Sequence, residues 1–248
     1  MRKWWLLMSN VLEVRDLYVG YYNKKKLFEP AQYKEVLKDI TFDIRENEIM
    51  GLVGQSGCGK TTLSKAILGV IPYKSGDIKH MTTRPQMIFQ DPYSSLNPVK
   101  KIGWILEEPL KVIGGYTKAE RKDKAIWMLE KVGLSGDYYN RLPKELSGGQ
   151  RQRISIGQAL MQNPGFIIAD EPVSALDVTV QAQIMDLLLE LKEEMKLSYL
   201  FISHDIDVIY QMCDRVMVLN NGEIVEMGEV TQVLDNPKDS YTKMLVSL

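Results

Sequence analysis

The sequence predicts an α/β fold with a mainly parallel sheet, a helical insertion and a late antiparallel pair of strands. Three patterns predict it. First, Ile49, Met50, Gly51, Leu52 and Val53 form a short apolar run that ends at a glycine cluster, as a buried strand entering a turn does. The period then changes: Leu63, Ala66, Ile67 and Val70 fall at i, i+3, i+4 and i+7, one face of a helix beginning near Lys60. Second, Phe166 to Ala169 and Leu200 to Ile202 have strand length, and between them Val180, Ile184, Leu187, Leu188 and Leu191 mark a helical face. Strand, helix and strand in this order imply parallel strands joined by crossover helices. Third, the stretch from about Asp91 to Pro164 contains no apolar run of strand type, and Thr117 with Glu120 makes a capping box ahead of Ala125, Leu129 and Val132, so it reads as a helical insertion. Near the end, Arg215 to Leu219 and Glu223 to Glu226 flank Asn220, Asn221 and Gly222, a hairpin signal.

Composition narrows the function classes. A chain of 248 residues, 45% apolar and 25% charged, matches an ordinary globular protein and not a disordered or fibrous one. We expect a single domain over 1–248, with 10–90 and 165–248 as the core and 91–164 as the helical subdomain. A net charge of -1 lacks the basic footprint of a nucleic-acid binder and argues against such a partner. Cys58 and Cys213 are the two cysteines and form neither a CxxC pair nor a disulfide framework, which fits a reducing cytoplasm. No apolar run reaches the roughly 18 residues of a spanning helix. The opening MRKWWLLMSN reads as an untargeted leader, lacking a full-length apolar run and a cleavage site, and Met8 serves equally well as a start. Lys24, Lys25 and Lys26 read as a solvated loop.

The chemistry concentrates in three places. Gly54, Gln55, Ser56, Gly57, Cys58, Gly59, Lys60 and Thr61 fit the G-x-x-x-x-G-K-[ST] phosphate loop, with Thr62 next. Glycines let successive N–H groups curl toward an anion, and the following helix N-terminus adds its dipole. Lys60 supplies charge for the β- and γ-phosphates, Thr61 offers a hydroxyl to Mg2+, and Cys58 is a small spacer. Asp170 and Glu171 end an apolar strand, where Asp170 would hold Mg2+ through water and Glu171 would polarise an attacking water. Leu146, Ser147, Gly148, Gly149 and Gln150 place a hydroxyl and backbone amides at a helix start, with Arg151 and Arg153 behind them.

Together these motifs resemble the ATP-binding-cassette (ABC) ATPase family, which carries a P-loop NTPase core, over nearly the whole chain. By that resemblance Gln90 is the Q-loop residue, reaching Mg2+ and the water. Ser174, Ala175, Leu176 and Asp177 form the D-loop, His204 is the switch histidine that senses the γ-phosphate, and Tyr21 stacks on adenine, with Tyr22 its alternative. The resemblance implies a dimer in which the signature Leu146 to Gln150 covers the ATP on the partner's phosphate loop. Opening and closing is then passed to membrane subunits around the Q-loop. Phe89 to Pro98 (FQDPYSSLNP) and Glu171 to Gln183 (EPVSALDVTVQAQ) look like the peptide and nickel importer branch, specifically its second ATPase. The segment from Asn23 to Val36 is similar to that branch's long lead into the core. That branch usually continues into a cysteine-bearing tail, whereas this sequence ends at YTKMLVSL with no downstream cysteine. The partners implied are a sister ATPase or a second copy, two transmembrane permease subunits and, indirectly, an extracytoplasmic binding protein. They would place the chain at the cytoplasmic face of the membrane, with ATP and Mg2+ as ligands and peptide or nickel as cargo. The alternative, a soluble ABC ATPase of translation or DNA repair, favours paired cassettes, a long coiled-coil insertion or zinc cysteines, none of which is visible. A regulatory module without turnover would lose Glu171, His204 or the signature, and all are intact.

Overall fold

A computed structural model describes residues 9–22 and 32–247, apart from the side chain of Ser94. Most of the leader, the lysine run and most of the segment from Asn23 to Val36 lie outside the described residues. In chain order the first half contains β1 (Asn10–Tyr22), β2 (Tyr33–Arg45), β3 (Ile49–Val53), α1 (Lys60–Ile67), β4 (Ser75–His80), β5 (Gln86–Ile88), α2 (Pro92–Ser95), α3 (Ile102–Ile113) and α4 (Lys118–Lys131). The second half contains α5 (Gly148–Leu160), β6 (Phe166–Asp170), α6 (Val178–Met195), β7 (Ser198–Ile202), α7 (Ile206–Met212), β8 (Arg215–Asn220), β9 (Glu223–Glu229), α8 (Val230–Asp235) and α9 (Ser240–Val246).

Two compact units result: the described residues up to Thr83 with those from Ser198 onward, and Arg84–Leu197. The second unit therefore takes in β5, β6 and α6, which lie outside the 91–164 span drawn from the sequence. In the first unit β1 pairs antiparallel with both β2 and β4. Parallel β7 and β8 flank β3, and β9 returns antiparallel on β8. Asn221 and Gly222 both have positive φ, 48° and 84°, as the expected tight hairpin requires. The central strand β3 is buried at all five positions, the run of apolar residues typical of a strand covered on both faces.

Helix α1 is shorter than the apolar period suggests. The N–H of Val70 reaches back to Lys65 O at 2.8 Å and the N–H of Gly69 to Ala66 O at 3.0 Å, a closing motif that ends the helix. Val70 is thus 66% exposed, a correction to its place on the buried face. In the second unit β5 pairs parallel with β6, and the capping box of Thr117 and Glu120 opens α4.

One polar cluster sits inside the first unit. Arg215 on β8 reaches Glu48 at 3.1 Å and Asp43 at 3.4 Å, and the N–H of Arg45 donates to the second Glu48 oxygen at 2.6 Å. Burial pushes the Glu48 carboxyl up, and the Arg45 N–H and Arg215 only partly offset it. Because removing one partner strands the other charge in the interior, Arg215→Met should lower unfolding stability by about 3 kcal/mol. Glu48→Gln in the same chain should return most of that, as urea unfolding would measure; equal midpoints for the single and double variants would refute the coupling.

Candidate functional site

The glycine-rich segment read as a phosphate loop joins β3 to α1. Val53 ends the strand and Gly59 is the N-cap of α1, with no side chain capping it. The first amides of the helix are therefore left to a ligand or water. Gly54 has φ 155°, and a Cβ built on it would lie 2.2 Å from Leu219 O on β8, so no larger residue fits against that strand. Lys60 folds back over its own loop, donating to Gly54 O at 2.6 Å and Gln55 O at 3.1 Å. Cys58 is buried and its thiol is pushed up by that burial, which Lys60 only partly counters; a protonated, buried thiol is a poor nucleophile. Thr61 is exposed and Thr62 is buried. The Tyr21 hydroxyl shares a hydrogen bond with the Thr62 hydroxyl at 3.3 Å, so its ring borders the loop's helix. Tyr22 turns instead to Tyr33, edge to face at 5.1 Å.

Strand register brings His204 to the same edge. Leu52 pairs with Ile202, so Gly54 and His204 each lie two residues beyond a matched pair. The hydroxyl of Tyr241 on α9 also reaches the loop, accepting the Gln55 N–H at 2.9 Å. Sequence reading misses this contact, because it links positions 186 apart and no periodicity spans such a distance.

In the second unit the same ruler works on β5 and β6. Ile88 pairs with Ala169, so Gln90 and Glu171 extend two residues beyond the pair, and Gln90 Nε2 donates to Glu171 Oε2 at 2.8 Å. Asp170 is the last residue of β6. Glu171 has φ 47°, a left-handed conformation uncommon for a side chain of this kind. Its carbonyl accepts both the N–H and the hydroxyl of Ser174, at 3.3 and 3.1 Å, which secures the turn. Ala175 and Leu176 follow, and Asp177 caps α6 by accepting the Val180 N–H at 3.0 Å.

Leu146 is buried just before α5. The Ser147 hydroxyl accepts the Gln150 N–H at 3.3 Å and Gln150 Oε1 accepts the Ser147 N–H at 3.0 Å, a reciprocal box. Gly148 lies against Leu176, and a Cβ on Gly149 would meet Val180 Cγ1 at 2.5 Å. The two arginines behind the motif face inward. Arg151 is buried, donates to Pro143 O at 2.7 Å and lies over the Tyr93 ring at 3.7 Å; Arg153 donates to Val132 O at 2.8 Å.

Among the described residues no group of three His, Cys, Asp or Glu side chains could hold a metal. Mg2+ nonetheless fits the donors present, since it takes few protein oxygens and completes its shell with phosphate and water. Among the described residues no helix is long and apolar enough to cross a membrane.

Comparison with known proteins extends this. Residues 37–174 match the family model described as ABC transporter. The dipeptide transport ATP-binding protein DppF of Escherichia coli (strain K12) is 42% identical, covering 97% of this chain and 77% of its own length. The oligopeptide transport ATP-binding protein AppF of Bacillus subtilis (strain 168) is 41% identical over 96% and 78%. A dimeric ATP-binding cassette in a post-hydrolysis state, bound to ADP and Pi, superposes with TM-score 0.74 at 28% identity, covering 88% of this chain and 98% of the other. The cbiO1 protein of Clostridium perfringens, part of the cbiONQ transporter complex, gives 0.79 at 25% identity over 92% and 91%.

The contact at Gly149 can be tested by packing. Overpacking costs about 1–3 kcal/mol, more than the roughly 1 kcal/mol that alanine gains over glycine inside a helix, so Gly149→Ala should lower the melting temperature. Val180→Ala in the same chain should relieve the loss, and thermal unfolding of both variants decides it.

Proposed function

This chain belongs to the ABC transporter family, and we propose that it is the motor subunit of a peptide importer, with ATP sandwiched between two ATPase subunits. It is an ATPase of mixed α/β fold. The observation that carries the mechanistic reading is the Gln90–Glu171 hydrogen bond at the strand ends, because it sets a carboxylate beside the residue assigned to Mg2+ and water.

The roles follow from the chemistry of each group. The amides at the start of α1 would meet the β-phosphate, and Lys60 exchanges its two carbonyl partners for phosphate oxygens. Thr61, Gln90 and, through water, Asp170 would hold Mg2+, which when bound neutralises charge developing on the phosphates. Glu171 accepts a proton from the attacking water as general base. Gln90 orients that carboxylate, His204 senses the γ-phosphate, and Tyr21 offers its ring to adenine. On the signature, Leu146 anchors the turn while Ser147, Gly148, Gly149 and Gln150 meet the ATP held by the other ATPase. The D-loop from Ser174 to Asp177 backs that surface.

The other ATPase is a sister subunit or a second copy. Two permease subunits dock around the Q-loop at the cytoplasmic face, and a binding protein delivers cargo from outside. Similarity to dipeptide and oligopeptide transport proteins supports peptide as the cargo, with nickel the other cargo of the branch. We assign the permease contact to Tyr93 to Pro98, where Tyr93 is 64% exposed yet its ring is fixed under Arg151, so it offers a shaped apolar surface.

Purified Glu171→Gln should bind Mg-ATP and lose hydrolysis by about 10²-fold or more, while Lys60→Ala should lose binding; near-normal turnover in Glu171→Gln would end the assigned role. Ser147→Arg should leave ATP binding on its own chain intact and block closure of the assembled pair, read by nucleotide trapping. Loss of binding at its own phosphate loop alone would contradict the sandwich. Single cysteines from Tyr93 to Asn97 should cross-link to permease subunits in vesicles in an ATP-dependent way, with low background because Cys58 and Cys213 are buried. No cross-link in an actively transporting complex would refute docking there.

A further inference from the structure

The C-terminal helix α9 touches the phosphate loop through one polar contact, the Gln55 N–H donated to the Tyr241 hydroxyl at 2.9 Å. The contact belongs to a closed circuit of bonds within the first unit. Tyr241 stands on the first turn of α9, whose N-cap Asp239 accepts the N–H groups of Tyr241 and Thr242 at 2.8 and 3.3 Å. Glu226 on β9 in turn accepts the N–H of Asp239 at 3.0 Å and the N–H of Lys238 at 3.0 Å. Burial alone would raise the Glu226 carboxyl, but these two N–H donors together with the Thr242 side chain outweigh it and hold it low, so it stays a charged acceptor. Glu226 pairs with Val218 on β8, and Val218 pairs with Val53 on β3, the residue that enters the loop. The circuit therefore starts and ends on the loop.

Its place in the loop is specific. Lys60 already holds the carbonyls of Gly54 and Gln55, and Tyr241 holds the amide between them, so both edges of the loop's entry are tied. Beyond the entry the Cys58 N–H turns back to Gln55 O at 3.3 Å, while no side chain caps the start of α1. The same helix supplies Leu245 and Val246 to the wall of a cavity of about 430 Å³ that His204 and Asp205 also line. Thus α9 borders both the phosphate loop and the histidine loop.

We propose that Tyr241 is a positioning residue for ATP binding: by holding the Gln55 amide it fixes the entry of the phosphate loop, so the placement of α9 sets the loop's affinity for nucleotide phosphates. The proposal rests on the reading of Gly54 to Thr61 as the phosphate site. The hydroxyl acts on the loop and not on ATP. A neutral hydrogen bond of this kind has a net worth of about 0.5–1.5 kcal/mol, which converts to roughly two- to tenfold in affinity.

The experiment uses the full chain and two variants, Tyr241→Phe, which removes only the hydroxyl, and Lys60→Ala. ATP affinity is measured by titration calorimetry, and exchange of individual backbone amides by NMR without nucleotide. Tyr241→Phe should weaken ATP binding about two- to tenfold and speed exchange at Gln55, leaving Met50 to Val53 of β3 unchanged. A change in affinity below about twofold, tighter binding, or faster exchange throughout β3 would overturn the proposal; tighter binding would mean that Tyr241 competes with phosphate for that amide. Wild-type affinity in Lys60→Ala would instead overturn the phosphate-loop reading beneath it.

Discussion

The folded-back Lys60 is the interaction on which the nucleotide site depends. Its ammonium donates to Gly54 O and Gln55 O, and each charge-assisted bond is worth roughly 1.5–3 kcal/mol. The lysine thus closes a ring that keeps the carbonyls of the loop's entry turned to the cation. On the proposed reading of this loop as a phosphate site, the lysine need only exchange neutral oxygens for charged ones when a phosphate arrives. Gly54 is the steric condition for this geometry. Its backbone passes so near Leu219 O that a Cβ would collide, so the loop can curl only where β8 lies beside β3.

The strands act as rulers for the remaining site residues. In two of the parallel pairs, β3 with β7 and β5 with β6, the candidate groups sit two positions past the last matched residues: Gly54 and His204 beyond Leu52 and Ile202, Gln90 and Glu171 beyond Ile88 and Ala169. Parallel register fixes such offsets without any contact between the side chains themselves. Glu171 needs one further device. Its left-handed backbone turns the chain sharply after β6, and conformations of this type cost about 1–3 kcal/mol and persist only where neighbours hold them. Ser174, bonded twice to the Glu171 carbonyl, is that neighbour, which gives a structural reason for a serine at this position.

Much of this was legible in the sequence because it is local. The apolar run of β3, the capping box of Thr117 and the Asn221–Gly222 turn are decided within a few residues, and each forms as its pattern predicts. The long strands β1 and β2 were not singled out, although they pair along most of their 13 residues each. Their alternation is broken by register shifts between Val14 and Leu17 and between Leu17 and Val19, and Asp16 and Asp39 take positive φ beside those breaks. A bulge moves side chains from one face to the other, so period-two counting loses the strand where it bends. The Tyr241 contact and the inward turn of Arg151 were hidden for another reason: each depends on where a distant segment packs.

That inward turn changes how the signature can recognise an anion. Arg151 lies over the Tyr93 ring with a bond to Pro143 O, and Arg153 is committed to Val132 O, so neither guanidinium is presented at the start of α5. The box between Ser147 and Gln150 uses the N–H groups of those two residues and leaves the amides of Gly148 and Gly149 outside it. On the proposed sandwich, recognition at this end would come from two glycine amides, the Ser147 hydroxyl, the Gln150 side chain and the helix dipole, all of which are uncharged or only partially charged. Such a surface is suited to an anion already neutralised elsewhere. A triphosphate seated on the Lys60 of another ATPase is an anion of that kind, and the backbone of α5 can approach it closely because no side chain stands at Gly148 or Gly149.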